Sequence, residues 1–175
     1  MKSIIFSILL LASILQFSGC GLLPTPKEEL PPITQEGKNT FGCLVNGKVW
    51  LPKGYDGTSN LDLSNDPGFN SGTFDLRTYR YPDSNNHLQY IILFSDSLSN
   101  KAVYPIGKKN QVVTFSDSKN CSYSGDDKQV IQSGTLTIFQ FDITNKIISG
   151  TFEFMLIKSS CDTIKVTQGR FDMKF

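Results

Sequence analysis

Residues 41–51 read Phe41-Gly-Cys-Leu-Val-Asn-Gly-Lys-Val-Trp-Leu51. An Asn-Gly pair between alternating residues is the strongest short-range signal for a β-hairpin, because both turn positions need a positive φ. A two-residue loop at Asn46-Gly47 places Cys43 opposite Trp50. Phe41, Cys43 and Trp50 then share one face of the hairpin, and we expect that face to be buried.

The rest of the chain after residue 40 shows no sustained helical periodicity, and turn residues recur about every ten positions. Residues 73–81 and 88–94 alternate, and the second segment is apolar on both faces over its later half, which predicts a central strand. Residues 103–106 predict an edge strand, because their proline cannot donate a ladder hydrogen bond. Residues 54–72 are rich in Gly, Asn and Pro and predict a long loop. The sequence therefore predicts one all-β domain over 41–175, either an antiparallel β-sandwich or a small β-barrel built of hairpins.

The C-terminal part of the chain is the most regular. Segments 133–142 and 147–156 predict a hairpin. In the final segments the apolar positions are even-numbered up to Val166 and odd-numbered from Phe171. A change of parity needs one extra residue, and Gly169 is the natural place for a β-bulge because glycine adopts positive φ at little cost. A tight turn there is the alternative.

Residues 1–19 predict an exported protein. A short basic start precedes the apolar run Ile4–Leu15, which is shorter than the roughly 20 residues of a membrane-spanning helix. The following Ser18-Gly19-Cys20 resembles a bacterial lipobox. The resemblance implies cleavage before Cys20 and attachment of a diacylglycerol to its sulfur, and two acyl chains give stable membrane anchoring. An ordinary signal peptide followed by a chance cysteine is the alternative.

Residues 20–40 predict the lipidated cysteine followed by a flexible tether. Four of the eight prolines lie here, at positions 24, 26, 31 and 32, and proline favours an extended, semi-rigid chain. Lys27-Glu28-Glu29 loosely resembles the acidic tag that helps some Bacteroidetes-type lipoproteins reach the cell surface. We therefore expect a bacterial cell-envelope protein anchored by lipid to the outer membrane, on a leaflet that the sequence leaves open.

Four motifs carry a family resemblance. They are Thr40-Phe-Gly-Cys-Leu-Val-Asn-Gly-Lys-Val-Trp50, Ser133-Gly-Thr-Leu-Thr-Ile138, Ile148-Ser-Gly-Thr-Phe-Glu-Phe154 and Gly169-Arg-Phe-Asp172. Together they resemble an uncharacterised family of Bacteroidetes-type lipoproteins. No activity is assigned to that family, so the resemblance implies no catalytic or binding residues.

Charge and histidine content argue against several function classes. The chain has 17 Lys and Arg against 16 Asp and Glu, whereas nucleic-acid binding draws on a clustered basic excess. We therefore expect no nucleic-acid partner. With one histidine in the chain, a His-based triad or a multi-His metal site is not expected. His87 itself is predicted to be a solvated turn residue, and no cofactor is expected.

Three cysteines remain if Cys20 is acylated. Cys121 and Cys161 lie in polar, turn-like contexts, whereas Cys43 lies in the middle of a strand on its apolar face. Disulfides form in the compartments that exported proteins enter. We predict a Cys121–Cys161 disulfide and a buried free thiol at Cys43.

Two groups of residues are candidates for ligand binding. Tyr55, Tyr79 and Tyr81 have aromatic faces that could stack on a ligand such as a sugar ring. The second group lies in an oxygen-rich segment and comprises Asp62, Ser64 and Asp66. Their spacing is that of the first ligands of a calcium-binding loop. The alternative for this segment is an ordinary polar loop, since Pro67 occupies the position of the sharp-turn glycine.

The leading hypothesis is a non-enzymatic binding or interaction module whose partner is an envelope protein or a glycan. One alternative is a small envelope hydrolase that uses strand carboxylates, for which Asp75, Glu153 and Asp172 are available. Two of these acids in one cleft would favour the enzyme. Another alternative is a barrel that encloses an apolar ligand.

Overall fold

The computed structural model describes residues 27–83, 86–108 and 110–175. Within these ranges the chain forms eleven strands and no helix, and so no helix that could cross a membrane. The strands are β1 (Thr40–Val45), β2 (Lys48–Trp50), β3 (Leu61–Asp66), β4 (Thr73–Arg80), β5 (Gln89–Ser95), β6 (Val103–Ile106), β7 (Gln111–Asp117), β8 (Ser122–Tyr123), β9 (Ile131–Asp142), β10 (Ile147–Ile157) and β11 (Ile164–Lys174). The expected signal peptide (1–19), Cys20 and the start of the expected tether lie outside the described residues.

The strands form two antiparallel sheets that share one core. The six-stranded sheet has the order β2-β1-β11-β10-β9-β6, and the five-stranded sheet has the order β3-β4-β5-β7-β8. In the described residues neither sheet closes on itself, so the fold is a β-sandwich and the alternative of a small barrel is wrong. An apolar ligand inside a barrel is excluded with it, because packed side chains form a core in the middle of the sandwich. Phe74 of one sheet, for example, contacts Phe171 of the other, with ring centroids 5.7 Å apart.

The β1–β2 hairpin has the predicted turn and register. Asn46 and Gly47 adopt positive φ angles of 48° and 79°, and Cys43 lies opposite Trp50. Phe41, Cys43 and Trp50 are at most 3% exposed. The shared buried face predicted for these three side chains is confirmed.

The parity change in β11 is a β-bulge, as predicted, but Gly169 does not carry the positive φ. The register against β10 shifts just after Phe152, and Gln168 adopts a φ of 52°. Gly169 is needed for space instead, since a Cβ there would lie 2.4 Å from the Phe152 ring. The bulge allows Val166 before it and Phe171 after it to face the same core.

Residues 54–72 contain a strand where the sequence predicts only a loop. β3 pairs with β4 along its whole length, from Leu61 opposite Thr78 to Asp66 opposite Thr73. It is an edge strand with polar residues on its outer side, and this composition hides the alternation in the sequence. The predicted edge position of β6 and central position of β5 are both confirmed.

Cys121 and Cys161 form the expected disulfide, and Cys43 is a buried free thiol. The bond joins the turn between β7 and β8, on one sheet, to the turn between β10 and β11, on the other. Beside it the Tyr123 hydroxyl donates a hydrogen bond to the Asp162 carbonyl. The disulfide therefore ties the two sheets together at one end of the sandwich.

Residues 28–39, which the sequence assigns to the tether, pack on the domain. Pro31 lies so close to Gly42 that a Cβ there would be 2.7 Å from the proline ring. Asp172, which is 1% exposed, accepts four hydrogen bonds of 2.6–3.3 Å from this segment. The donors are the Thr34 hydroxyl and the backbone N–H groups of Glu36, Gly37 and Lys38. The boundary expected at residue 41 is therefore too late, because a buried carboxylate needs these donors.

Cys121→Ser and Cys161→Ser should each lower the free energy of unfolding by roughly 4 kcal/mol, since the bond joins residues 40 positions apart and constrains the unfolded chain. The double variant should lose no more than either single variant, because all three lack the same bond. Urea unfolding without reductant measures these values. Additive losses from the two single substitutions would contradict this account.

Asp172→Asn should lower the melting temperature at neutral pH, because the amide loses the charge that the four donors stabilise. Burial alone raises the pKa of Asp172, but the hydrogen bonds from Thr34 and the three backbone N–H groups outweigh it and hold the pKa below its ordinary 3.8. A depressed pKa in the folded state stabilises the fold above the unfolded-state pKa, and this stabilisation is lost as the pH falls through the folded-state pKa.

The difference in melting temperature between wild type and Asp172→Asn should therefore have its largest value at neutral pH and should decrease below about pH 4. Thermal unfolding followed by circular dichroism across this pH range measures it. A difference that stays constant down to the lowest pH would refute the role given to the carboxylate charge.

Candidate functional site

The outer face of the five-stranded sheet carries a partly exposed apolar surface. On β5, Ile91 and Leu93 face the core and are 0% and 1% exposed. Tyr90 and Ile92 project from the other face, where both remain partly exposed. The strand pairing places Tyr90 opposite Tyr79 of β4, so the two tyrosines are neighbours on this surface.

A cavity of about 500 Å³ lies on this face, and we call it the outer-face cavity. Its apolar lining comes mainly from Leu88, Tyr90 and Ile92, with Tyr79 beside them. Its charged lining comes from Asp56, Asp62 and Arg77. An apolar cleft of this size with a few polar groups is typical of sites for small ligands.

The loop before β3 is fixed against Tyr79. The Tyr79 hydroxyl accepts a hydrogen bond from the Asp56 N–H at 3.2 Å and lies 2.8 Å from the Asp56 carboxylate. Hydrogen bonds from Thr58 and then from Tyr79 hold the pKa of Asp56 below its ordinary value. The cavity therefore has a fixed negative charge on this side.

The opposite charge comes from Arg77 on β4. Its Nη2 lies 2.6 Å from a carboxylate oxygen of Asp75, and Arg77 is opposite Asp62 in the strand register. The hydrogen bond and charge of Asp75 raise the pKa of Arg77. Donors and acceptors thus surround an apolar, aromatic surface, an arrangement that suits a ring with polar substituents.

Of the three tyrosines predicted to bind a ligand, one lines the outer-face cavity. That residue is Tyr79. Tyr81 packs edge-on against Tyr79, with ring centroids 5.8 Å apart, and lies over Gly54. Tyr55 is 78% exposed, and its hydroxyl donates to the Gly57 carbonyl. Neither Tyr81 nor Tyr55 lines the cavity.

Tyr90 and Ile92 are candidates that sequence reasoning missed. Apolar residues on both faces of residues 88–94 correctly predict a central strand, but they also suggest that both faces are buried. Within the described residues no further layer covers the outer face of this sheet. An aromatic residue at an outward position of a central strand is the signal that marks the cavity.

The three residues proposed for calcium lie on β3 rather than in a loop. Asp62, Ser64 and Asp66 project to the same, exposed side of the strand. At about 3.3 Å per residue, Asp62 and Asp66 are about 13 Å apart along the strand, which is too far for both to bind one ion. Asp62, Ser64 and Asp66 therefore do not form the calcium-binding loop that their spacing suggests. In the described part of the chain no three His, Cys, Asp or Glu residues are grouped to hold a metal ion.

The three strand carboxylates considered for hydrolysis are not brought together. Asp75 lies on the outer face of the five-stranded sheet and pairs with Arg77. Glu153 is exposed on the outer face of the other sheet, and Asp172 is buried under the N-terminal segment. These acids therefore do not form an acid–base pair with one another.

Cys43 lies in the core next to Trp50. Burial raises the pKa of its thiol to about 12, although the charge of Arg80 opposes the shift. The thiol is therefore protonated near neutral pH, and a protonated thiol is a poor nucleophile.

Residues 83–173 match a family model that is described as a domain of unknown function, DUF6252. The match spans 91 of the 175 residues and runs from the connection between β4 and β5 into β11. Comparison with curated proteins and comparison with solved structures each give no significant match.

Proposed function

The chain belongs to this family of domains of unknown function, DUF6252, and we propose that it is a lipid-anchored protein of the bacterial cell envelope that binds a glycan in its outer-face cavity. In this proposal the protein is a non-enzymatic lipoprotein of Bacteroidetes type, attached to the outer membrane through Cys20. The observation that carries the binding role is the pair of neighbouring tyrosines, Tyr79 and Tyr90, in a cavity with charged sides.

The anchor is supported by the N-terminal sequence. The apolar run Ile4–Leu15 is too short to span a bilayer, and Ser18-Gly19-Cys20 has the small residues and the cysteine of a lipobox. A diacylglycerol on Cys20 would supply the two chains that stable anchoring needs.

The chemistry of the outer-face cavity favours a glycan. One face of a sugar ring is made largely of C–H groups that pack on aromatic side chains such as Tyr79 and Tyr90. The hydroxyl groups around the ring both donate and accept hydrogen bonds, and Asp56 and Arg77 provide one acceptor and one donor at the cavity. A specific protein interface would need roughly 800 Å² on each partner, whereas this site is a small concave cleft.

The packing of the N-terminal segment leaves this cavity accessible. Pro31 and Thr34 contact Gly42 and Asp172, which belong to β1 and β11 of the six-stranded sheet. Glu28 pairs with Lys53, which is bonded to β4 of the other sheet, but no described residue before position 40 lines the outer-face cavity. A domain held to a membrane through this segment can present the five-stranded sheet to a ligand.

Tyr90→Ala should weaken glycan binding by about tenfold or more, because burying an aromatic side chain against a ligand contributes on the order of 1.5–3 kcal/mol. A glycan array of neutral and amino-sugar polymers identifies a bound glycan, and calorimetry with that glycan gives the affinities. The matched control is Tyr55→Ala, since Tyr55 is exposed outside the cavity and its loss should leave the affinity unchanged. Equal losses from both substitutions, or no bound glycan with wild type, would refute the glycan site.

Cys20→Ser should prevent lipid attachment, because the hydroxyl cannot form the thioether to diacylglycerol. Cells grown with a radiolabelled fatty acid should label the wild-type protein and leave the variant unlabelled. The variant should also move from the membrane fraction to the soluble fraction. Label that persists in the Cys20→Ser variant would disprove the anchor, whatever the result of the glycan experiment.

A further inference from the structure

The sandwich has a second cavity of about 740 Å³ at one end, between its two sheets, and we call it the interlayer cavity. Arg80, Gln89 and Asp117 line it as a row across β4, β5 and β7, because they are neighbours in the strand register. Their side chains point inward, as those of the core residues Ile91 and Phe115 do farther along the same sheet. Three polar side chains, one cationic and one anionic, thus occupy inward-facing positions at this end of the sheet.

Arg80 is the cation of this row, and its hydrogen bonds go to neutral acceptors. Its Nε donates to the Gln89 Oε1 at 2.8 Å, and its Nη1 donates to the Val49 carbonyl at 3.1 Å. Its guanidinium lies over the Trp50 ring, 5.3 Å from the ring centroid. In the described residues no carboxylate forms an ion pair with Arg80. Two neutral acceptors use two of the five N–H donors of a guanidinium.

Asp117 is engaged elsewhere, with Gln89 between it and Arg80. One carboxylate oxygen lies 2.6 Å from the His87 Nε2, and the other accepts from Gln89 at 2.7 Å and from Asn120 at 3.0 Å. Burial raises the pKa of Asp117, but these hydrogen bonds outweigh it, so the pKa is below its ordinary value. His87 is therefore not the solvated turn residue that the sequence predicts, because Asp117 holds it in a largely buried position.

Burial also makes the charge of Arg80 costly. It lowers the pKa of the guanidinium, against the smaller opposing effects of Glu28, Cys43 and Asp117. Glu28 is itself paired with Lys53, at 3.1 Å. A desolvated cation is stable when an anion or further hydrogen bonds compensate it, and the planar donors of arginine match the two oxygens of a carboxylate.

We propose that the interlayer cavity binds an acidic sugar whose carboxylate pairs with Arg80. Lys48 also lines the cavity and adds a second positive charge, and the carboxylates of the lining are those of Asp162 and of Asp117, which is held by its own hydrogen bonds. Amide and hydroxyl side chains that can bind sugar hydroxyls make up much of the remaining polar lining; they belong to Asn46, Asn120, Ser159 and Ser160. This site is separate from the outer-face cavity and does not depend on the glycan proposed there.

Trp50 provides a readout of this cavity through Gln89 in the wild-type protein. It is the single tryptophan, and its indole Nε1 donates at 3.2 Å to the same Gln89 oxygen that Arg80 binds. Titration of the ¹⁵N-labelled protein with glucuronate should shift the indole N–H resonance with saturation. Glucose, which lacks the carboxylate, and acetate, which lacks the ring hydroxyls, should each bind at least about tenfold more weakly.

Arg80→Lys should weaken glucuronate binding by about tenfold or more, since lysine keeps the charge and loses the two-oxygen geometry. The matched control is Arg170→Lys, because Arg170 lies outside this cavity and binds the Pro31 carbonyl; it should bind glucuronate like wild type. If Arg80→Lys does not fold, the exposed Lys48→Gln variant provides the test, with a severalfold loss expected.

The proposal is overturned if glucose or acetate shifts the Trp50 resonance at the same concentrations as glucuronate, or if glucuronate produces no saturable shift. It is also overturned if folded Arg80→Lys, or Lys48→Gln in its place, binds glucuronate as wild type does. The indole resonance reports the interlayer cavity, whereas the tyrosine variants report the outer-face cavity. The failure of one site can therefore be told apart from the failure of the other.

Discussion

The β-bulge at Gln168 and Gly169 is the constraint on which much of this structure depends, because β11 lies between β1 and β10 in the six-stranded sheet. Both neighbours shift register beside it. Side chains alternate strictly along a strand, so without the extra residue one half of β11 would expose its apolar side. The bulge directs Phe171 into the core and Asp172 to the outside of the sheet. There the carboxylate becomes the point to which residues 34–38 are bound.

The parts of the fold that the sequence predicts well are those in which local chemistry and tertiary packing agree. Asn46-Gly47 needs no partner strand to specify its turn, and the alternation around it gives the correct register. The sequence does not predict β3, because an edge strand with one polar side has only a weak alternation of apolar and polar residues. The packing of residues 28–39 was missed for a different reason. It depends on Asp172, more than 130 positions away in the chain, and composition alone cannot show that contact.

The candidate sites were predicted less completely than the fold. Tyr79 is among the tyrosines predicted to stack on a ligand, whereas Tyr90 lies in the segment predicted to be a central strand. The sequence analysis does not predict the row of Arg80, Gln89 and Asp117, although the alternation of residues along the strands indicates it. Arg80 has the parity of the inward-facing residues of β4, and Asp117 has the parity of those of β7. What the sequence does not contain is the order β4-β5-β7, which places these residues side by side around Gln89.

One strand pairing positions both cavities. Tyr79 pairs with Tyr90 on the outer face, and the next pair along the two strands, Arg80 with Gln89, faces the space between the sheets. A slip of one residue between β4 and β5 would exchange these faces, so both sites require the same register. Lys53 is bonded to the same part of β4, since its N–H donates to the Tyr79 carbonyl and its carbonyl accepts from the Tyr81 N–H. Because the side chain of Lys53 also pairs with Glu28, the N-terminal segment is linked to the strand that carries Tyr79 and Arg80. The two cavities are therefore opposite faces of one structural unit, and the segment that leads to the proposed anchor is part of it.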